Sequence, residues 1–340
     1  MGEQSRVLVT GAGGFIGHHL VRYLARRGCW VRGADVKPPE FEPTDADELL
    51  ILDLREWESC LTATEGVDEV YALAANVGGV GFIPTHKAVI MHDNVLINTH
   101  IIEAARENDV ARYFFASSAS VYPGYRLGSP DAEPLSEDHA YPADSEDGHG
   151  WEKLFSERQC RHYWEDYGFE TRVGRLHGTF GPLGAYDGGR ERMPAAICRK
   201  IALAGNDDEI EVWGDGRQTR SYCYIDDCVE GIYALMRSDW REPVNLGSDR
   251  RVTVDEVVDI VAAIAGKTIR KRHDPSAPQG PRGRGSDNKR ARDALGWTPR
   301  VSLEDGLRRT YEWIAGRIAA DPRYARQARP AGARIGSRGD

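Results

Sequence analysis

The 340 residues offer little from which to build a disulfide scaffold, a membrane anchor or a nucleic-acid surface. Cysteine is scarce: six residues, at 29, 60, 160, 198, 223 and 228, with no C-x-x-C and no histidine at zinc spacing. They read as reduced, mostly buried thiols of a cytoplasmic protein, and no metal site is expected. No apolar run approaches the ~20 residues of a membrane helix; the longest, such as 71–75, are strand-sized. Six residues precede the first strand at Val7, too few for a signal peptide. Basic charge is not in excess. With 44 Lys and Arg against 53 Asp and Glu, the net charge is -9, which argues against general nucleic-acid binding. What remains is globular material, 41% hydrophobic and 29% charged, in a length suited to two packed lobes.

The first half alternates short β-branched runs with helical patterns. Strands are expected over 7–10, 30–34, 69–74, 113–117 and 171–175, and helices over 17–27, 57–62, 89–108 and 149–167. This rhythm predicts an α/β fold, a Rossmann-type doubly wound parallel sheet. After Leu176 it breaks into Gly/Pro-rich loops, then helices over 193–203, 254–265 and 303–320 and a strand over 210–213. These predict a smaller C-terminal substrate-binding lobe. The expected division puts 1–177 and about 215–240 in the cofactor domain and 178–214 and 241–320 in the lobe. The Arg-rich tail 321–340 reads as disordered.

The segment Val7-Leu8-Val9-Thr10-Gly11-Ala12-Gly13-Gly14-Phe15-Ile16-Gly17 joins a strand to a helix. Gly11 permits the tight turn, Gly14 lets backbone approach a pyrophosphate, and Gly17 lets helix and sheet pack closely. The diphosphate would sit on the helix N-terminus beside Phe15 and Ile16, where unpaired N–H groups favour an anion. A lone glycine triplet is weak. Here the second strand ends at Asp35, where a carboxylate meets ribose hydroxyls and repels a 2'-phosphate, so NAD is expected over NADP. Arg32 and Lys37 lie near enough to temper that preference. Asp53-Leu54 suits adenine recognition.

With Ala74-Ala75 after the fourth strand, Ser117-Ser118-Ala119-Ser120-Val121-Tyr122 after the fifth and Lys153 on the next helix, the chain resembles the extended short-chain dehydrogenase/reductases. Within them it is similar to the GDP-mannose 3,5-epimerases, through about residue 320. The segments carrying the likeness include Ala74-Ala75-Asn76-Val77-Gly78-Gly79-Val80-Gly81-Phe82, Gly188-Gly189-Arg190-Glu191, Gln218-Thr219-Arg220-Ser221 and Arg282-Gly283-Arg284-Gly285. The resemblance implies a GDP-sugar oxidised transiently at C4 by tightly held NAD, which acidifies C3–H and C5–H, followed by proton exchange and return of the hydride. It also implies a homodimer through the helices 89–108 and 149–167, with Gly78, Gly79, Gln218, Arg220 and Arg282 at the substrate.

The catalytic positions depart from that family. Its base, a Tyr four residues before the Lys, is His149 here, still on one helix face with Lys153. Imidazole titrates near ~6.5 against ~10 for a phenol, so a neutral ring is available as a base at pH 7. Ser118 would hold O4. The family's cysteine acid/base aligns with Ser120, its lysine partner with Arg192 and a substrate-positioning Asn with Gly178. A hydroxyl is a poorer proton carrier than a thiol, and a guanidinium is not a base. Glu191 and His177 are the candidate replacements. Loss of the Asp-Glu pair after Ser118 excludes a 4,6-dehydratase. A GDP-sugar 4-epimerase, a net 4-dehydrogenase and a non-catalytic NAD/sugar-nucleotide-binding protein fit the same substitutions.

Overall fold

The computed structural model describes residues 4–79, 81–145 and 147–325. The chain runs β1 (Arg6–Thr10), α1 (Phe15–Arg26), β2 (Trp30–Asp35), β3 (Glu48–Ile51), α2 (Trp57–Thr64), β4 (Glu69–Ala72), α3 (Lys87–Glu107), β5 (Arg112–Ser118) and α4 (Gly148–Tyr167). It continues with β6 (Glu170–Leu176), β7 (Thr179–Phe180), α5 (Met193–Leu203), β8 (Glu209–Trp213), β9 (Thr219–Ser221), β10 (Cys223–Tyr224) and α6 (Ile225–Arg237). Then come β11 (Val244–Leu246), β12 (Arg251–Thr253), α7 (Val254–Ala265), β13 (Arg270–Asp274), β14 (Gly283–Arg284), α8 (Lys289–Leu295), α9 (Leu303–Ala320) and α10 (Pro322–Ala325).

Seven strands form one all-parallel sheet in the order β11-β6-β5-β4-β1-β2-β3. Parallel strands need helical crossovers, which cover both faces, so their side chains are buried on both sides. Val7, Leu8 and Val9 accordingly lose all solvent contact, the odd pair joining Leu20 and Leu24 of α1, and Leu8 joining Ile101 and Ala105 of α3. The order reverses between β1 and β4, which opens a crevice at the strands' carboxyl ends. Thr10 Oγ1 spans it, accepting the N–H groups of Leu73 and Ala74 at 3.1 Å each.

Two expectations change. The strand β11 falls in the stretch assigned to the lobe, yet it pairs with β6 as the edge of the main sheet. Its three residues are too few to show a period, though all are buried. The short strand β10 ends at Tyr224, and Ile225 opens α6, whose Cys228, Val229, Ile232, Leu235 and Met236 face the core at helical spacing. Outside the sheet, α5, α7 and α9 pack on one another, beside the pairs β8–β13 and β7–β10 and the trio β12-β9-β14. The start of the expected disordered tail is the helical turn α10, with Tyr324 buried and donating to Asp187; residues 326–340 lie outside the described residues. All six cysteines are free thiols, five of them buried. Among the described residues no helix is long and apolar enough to cross a membrane.

Candidate active site

A cleft of about 700 Å³ follows the carboxyl ends of β1, β2 and β4. Gly11, Gly14, Phe15, Ile16, Gly17, Asp35, Asp53, Leu54 and Ala74, the residues expected at a dinucleotide, line it, and so does Gly78, expected at the substrate. A Cβ on Gly11, whose φ is +71°, would stand 2.9 Å from the nitrogen of Ala74, and one on Gly17 would stand 2.1 Å from the oxygen of Gly11. Side chains are therefore excluded where the turn closes. Gly14 caps α1 without a side chain, so the first N–H groups of the helix take no partner from a cap and open toward the cleft. That is an anion cradle.

Asp35 accepts the N–H groups of Gly13 at 2.9 Å and Lys37 at 3.2 Å, and burial raises its pKa against those bonds. Arg32 bonds Glu48 and the carbonyls of Ala63 and Glu65, and so turns away from any 2'-phosphate. Asp53 is forked by Arg55, which lowers its pKa. The donor set fits NAD: a helix N-terminus for the diphosphate, and a carboxylate at the ribose end.

Beside Ala116 and Leu176 of the cleft wall stand the end of β5, the turn that follows it and the first turns of α4. They carry Ser118, Ser120, His149 and Lys153. Ser120 donates its N–H to Ser118 Oγ at 3.1 Å, the two hydroxyls lie 3.3 Å apart, and Ser145 Oγ donates to the Ser120 carbonyl at 2.8 Å. Asp147 caps α4 by accepting from Gly150, and a Cβ on Gly150 would fall 2.1 Å from the Ser120 carbonyl oxygen. This contact locks the first turn of α4 onto the serine loop. His149 is buried, its Nδ1 2.9 Å from Oε1 of Glu152, and Lys153 Nζ lies 3.9 Å from the same oxygen and 4.7 Å from the centre of the Phe115 ring.

Across from them, the loops around Gly79 and Glu191 pack so closely that a Cβ on Gly79 would sit 2.3 Å from the Glu191 carbonyl oxygen. Val80 lies outside the described residues. Arg190 stacks on Phe82 at 4.0 Å and donates to the Val77 carbonyl, and Arg192 lines the cleft. The Arg192 side chain is open to cleft water and makes no hydrogen bond or ion pair with a described residue.

Several expected site residues lie outside the cleft lining, among them His149, Lys153, Ser118 and Ser120 beside it and others held elsewhere. Glu191 is spent on the Gly189 N–H at 2.6 Å and on Arg199 at 3.3 Å. Gln218 is buried and donates to the Trp213 carbonyl at 2.8 Å. Gly178 has φ +53°, and a Cβ there would stand 2.2 Å from the Ser221 carbonyl oxygen, so the position cannot present a substrate-positioning side chain. His177 lies behind the site, its Nε2 2.9 Å from Asn245 Oδ1, with burial as the main cause of a pKa of about 3. Arg220 donates to the Thr219 and Gln279 carbonyls, and Arg282 forks Asp215 at 2.8 and 2.9 Å. A phosphate at Arg282 must share it with that carboxylate.

The buried His177 has a consequence for stability. Folded, it stays neutral down to about pH 3; unfolded, it titrates near ~6.5. Between these values the unfolded chain binds the extra proton. Stability therefore falls as pH drops from about 6.5, by up to about 1.4 kcal/mol per unit. Urea midpoints at pH 7 and pH 5 should differ less in His177→Gln than in the natural chain.

Sequence reasoning missed Asn94, Asn98 and Glu152. The signal was present, since Asn94 and Asn98 interrupt the buried stripe of Ile90, Ile101 and Ala105 on α3. Polar groups in the apolar phase of a helix must find partners, and these two reach Glu152.

The comparisons agree with this geometry. The model of the NAD dependent epimerase/dehydratase family matches residues 7–247. GDP-mannose 3,5-epimerase of Arabidopsis thaliana is 46% identical over 318 residues, 93% of this chain and 84% of that one. In solved structures, UDP-glucose 4-epimerase of Thermotoga maritima shares the fold at a TM-score of 0.83 and 24% identity, over 92% of this chain and 99% of that one. MoeE5, solved with UDP-glucose and NAD, superposes at a TM-score of 0.79 with 27% identity, over 92% of this chain and all of that one (100%). The chain belongs to the NAD dependent epimerase/dehydratase family, among its GDP-mannose 3,5-epimerases.

Proposed function

We propose that the chain epimerises a GDP-hexose related to GDP-mannose, by way of a ketone formed transiently at C4. One observation carries the reading. His149 and Lys153, both buried, gather on Glu152 in the first turns of α4, which press against the loop carrying Ser118 and Ser120, in a chain nearly half identical to such epimerases. Bound NAD supplies an acceptor for the hydrogen on C4 and gives it back, so the sugar undergoes no net redox change.

The chain's own residues supply the rest. His149 takes the O4 proton and returns it. Ser118 holds O4, and Lys153 orients the nicotinamide ribose. Once C4 is a ketone, the neighbouring C–H bonds are acidified through the enolate. Arg192 neutralises charge on that oxygen, since a guanidinium stays protonated. Ser120 moves the proton at C3 or C5. Glu191 drops out, held by Arg199.

Incubation with GDP-mannose in deuterated water is expected to place deuterium at C5, C3 or both, read by NMR. Unlabelled sugar with C4 inverted would make the chain a 4-epimerase. A stable rise in reduced-nicotinamide absorbance would make it a net 4-dehydrogenase, and neither change would leave a binding protein.

The same reading includes a homodimer. Val89, Met91, Trp151 and Phe155 on α3 and α4 are each 42–47% exposed, a poor fit to water for large apolar groups. Gly148, on the face shared with Trp151 and Phe155, abuts Met91. Trp151→Glu is expected to halve the mass measured by light scattering; a natural chain that is already monomeric would remove the dimer. Its free, buried thiols suit a reducing compartment, and we assign the enzyme to the cytoplasm.

A further inference from the structure

A phenol has one reactive oxygen, but an imidazole can carry its proton on either nitrogen. An enzyme that exchanges Tyr for His at its base therefore needs something to choose between them. We propose that Glu152 is a positioning residue that holds the proton of neutral His149 on Nδ1, so that the bare Nε2 is the base. The proposal rests on the reading of His149 as the base for O4.

The hydrogen-bond directions follow from groups that can act in one sense only. The backbone N–H of Asn76, in the cleft wall, donates to Asn94 Oδ1 at 2.7 Å. That fixes the Asn94 oxygen there and turns its amino group to Glu152 Oε1 at 3.0 Å and to the Asn76 carbonyl at 3.2 Å. On the next turn Ser156 gives its hydroxyl proton to the Glu152 carbonyl at 2.9 Å. Its oxygen must then accept from Asn98, whose amino group also reaches Glu152 Oε2 at 3.1 Å. Both carboxylate oxygens thus receive N–H donors from α3.

A carboxylate is acceptor-only. His149 Nδ1, 2.9 Å from Oε1, is therefore the donor, and neutral imidazole with Nδ1 protonated has its lone pair on Nε2. Glu152 has no solvent exposure and His149 5%, so water does not compete for the bond. Lys153 Nζ, 3.9 Å from Oε1, adds only a positive charge beside the carboxylate and cannot take the place of the acceptor. The chain of bonds also links the base to the cofactor cleft, because its first member, Asn76, lines that cleft.

The test uses the full-length protein with ¹⁵N-labelled histidine, the His149 signals being assigned by their loss in His149→Ala. In the natural chain near pH 8, Nδ1 is expected to be pyrrole-type and Nε2 pyridine-type. Glu152→Gln keeps the shape but adds an amino group among donors. It is expected to move the proton to Nε2 and to lower kcat by about 10²- to 10⁴-fold, with KM unchanged.

A natural chain protonated on Nε2 overturns the proposal without any variant. So does a Glu152→Gln protein that keeps its turnover, or one that loses turnover while the ring stays protonated on Nδ1. Full turnover in His149→Ala would sink the base assignment and this proposal together, whereas an Nε2-protonated natural ring sinks this proposal alone.

Discussion

Replacing His149 by alanine is expected to lower kcat by about 10²- to 10⁴-fold, the span that a positioned general base contributes. The cofactor content of the purified protein should not change. The two effects separate because His149 is not among the residues that line the dinucleotide cleft. Its backbone is held by neighbours: Asp147 caps the helix, and Gly148 and Gly150 press against Lys87, Ser120 and Ser145. Removing the ring leaves Glu152 with the Asn94 and Asn98 donors, so no buried carboxylate is stranded. A loss seen in kcat and kcat/KM alike, with KM steady, is the signature of an interaction made only in the transition state. Steady-state kinetics with GDP-mannose, alongside the nicotinamide absorbance of the isolated protein, check both halves. A variant that turns over normally would remove His149 from the role of base.

What the sequence discloses about this site follows the range of the interactions. The glycine turn and Asp35 are local: Gly11, Gly14 and Gly17 answer steric demands set within a few residues, and each stands where expected. The strand–helix rhythm is legible for the same reason. Partners far along the chain are not. Arg282 looks like a phosphate fork until Asp215, 67 residues away, is found in its grasp. Glu191 looks like a free carboxylate until Arg199 folds back on it. Gly178 reads as a lost side chain, but only the Ser221 carbonyl facing it explains why none fits. β11 is invisible because three buried residues carry no period, and its place is set by pairing with β6. The resemblance located His149. The bond from His149 to Glu152, and from there to α3, needs coordinates.

The largest effect on stability is expected behind the site. Arg175 on β6 and Glu157 on α4 are both buried, joined by two bonds of 2.7 and 2.9 Å. Ser117 on β5 donates to the same carboxylate, and Arg175 also reaches the Glu137 carbonyl at 2.7 Å and the Tyr122 hydroxyl at 3.3 Å. Burial by itself would lower the Arg175 pKa; Glu157 overrides it and the net direction is upward. The pair ties the helix that carries His149 and Lys153 to two strands of the sheet. Arg175→Met fills most of the space but leaves Glu157 as a lone buried charge, at a cost of about 3–5 kcal/mol. Pairing it with Glu157→Leu removes the orphan and should recover most of that loss, since two packed apolar groups often match a buried ion pair. Urea unfolding of the single and double variants measures the difference. If Arg175→Met unfolds at the natural midpoint, the charge is not isolated, and α4 is held to the sheet by its apolar contacts alone.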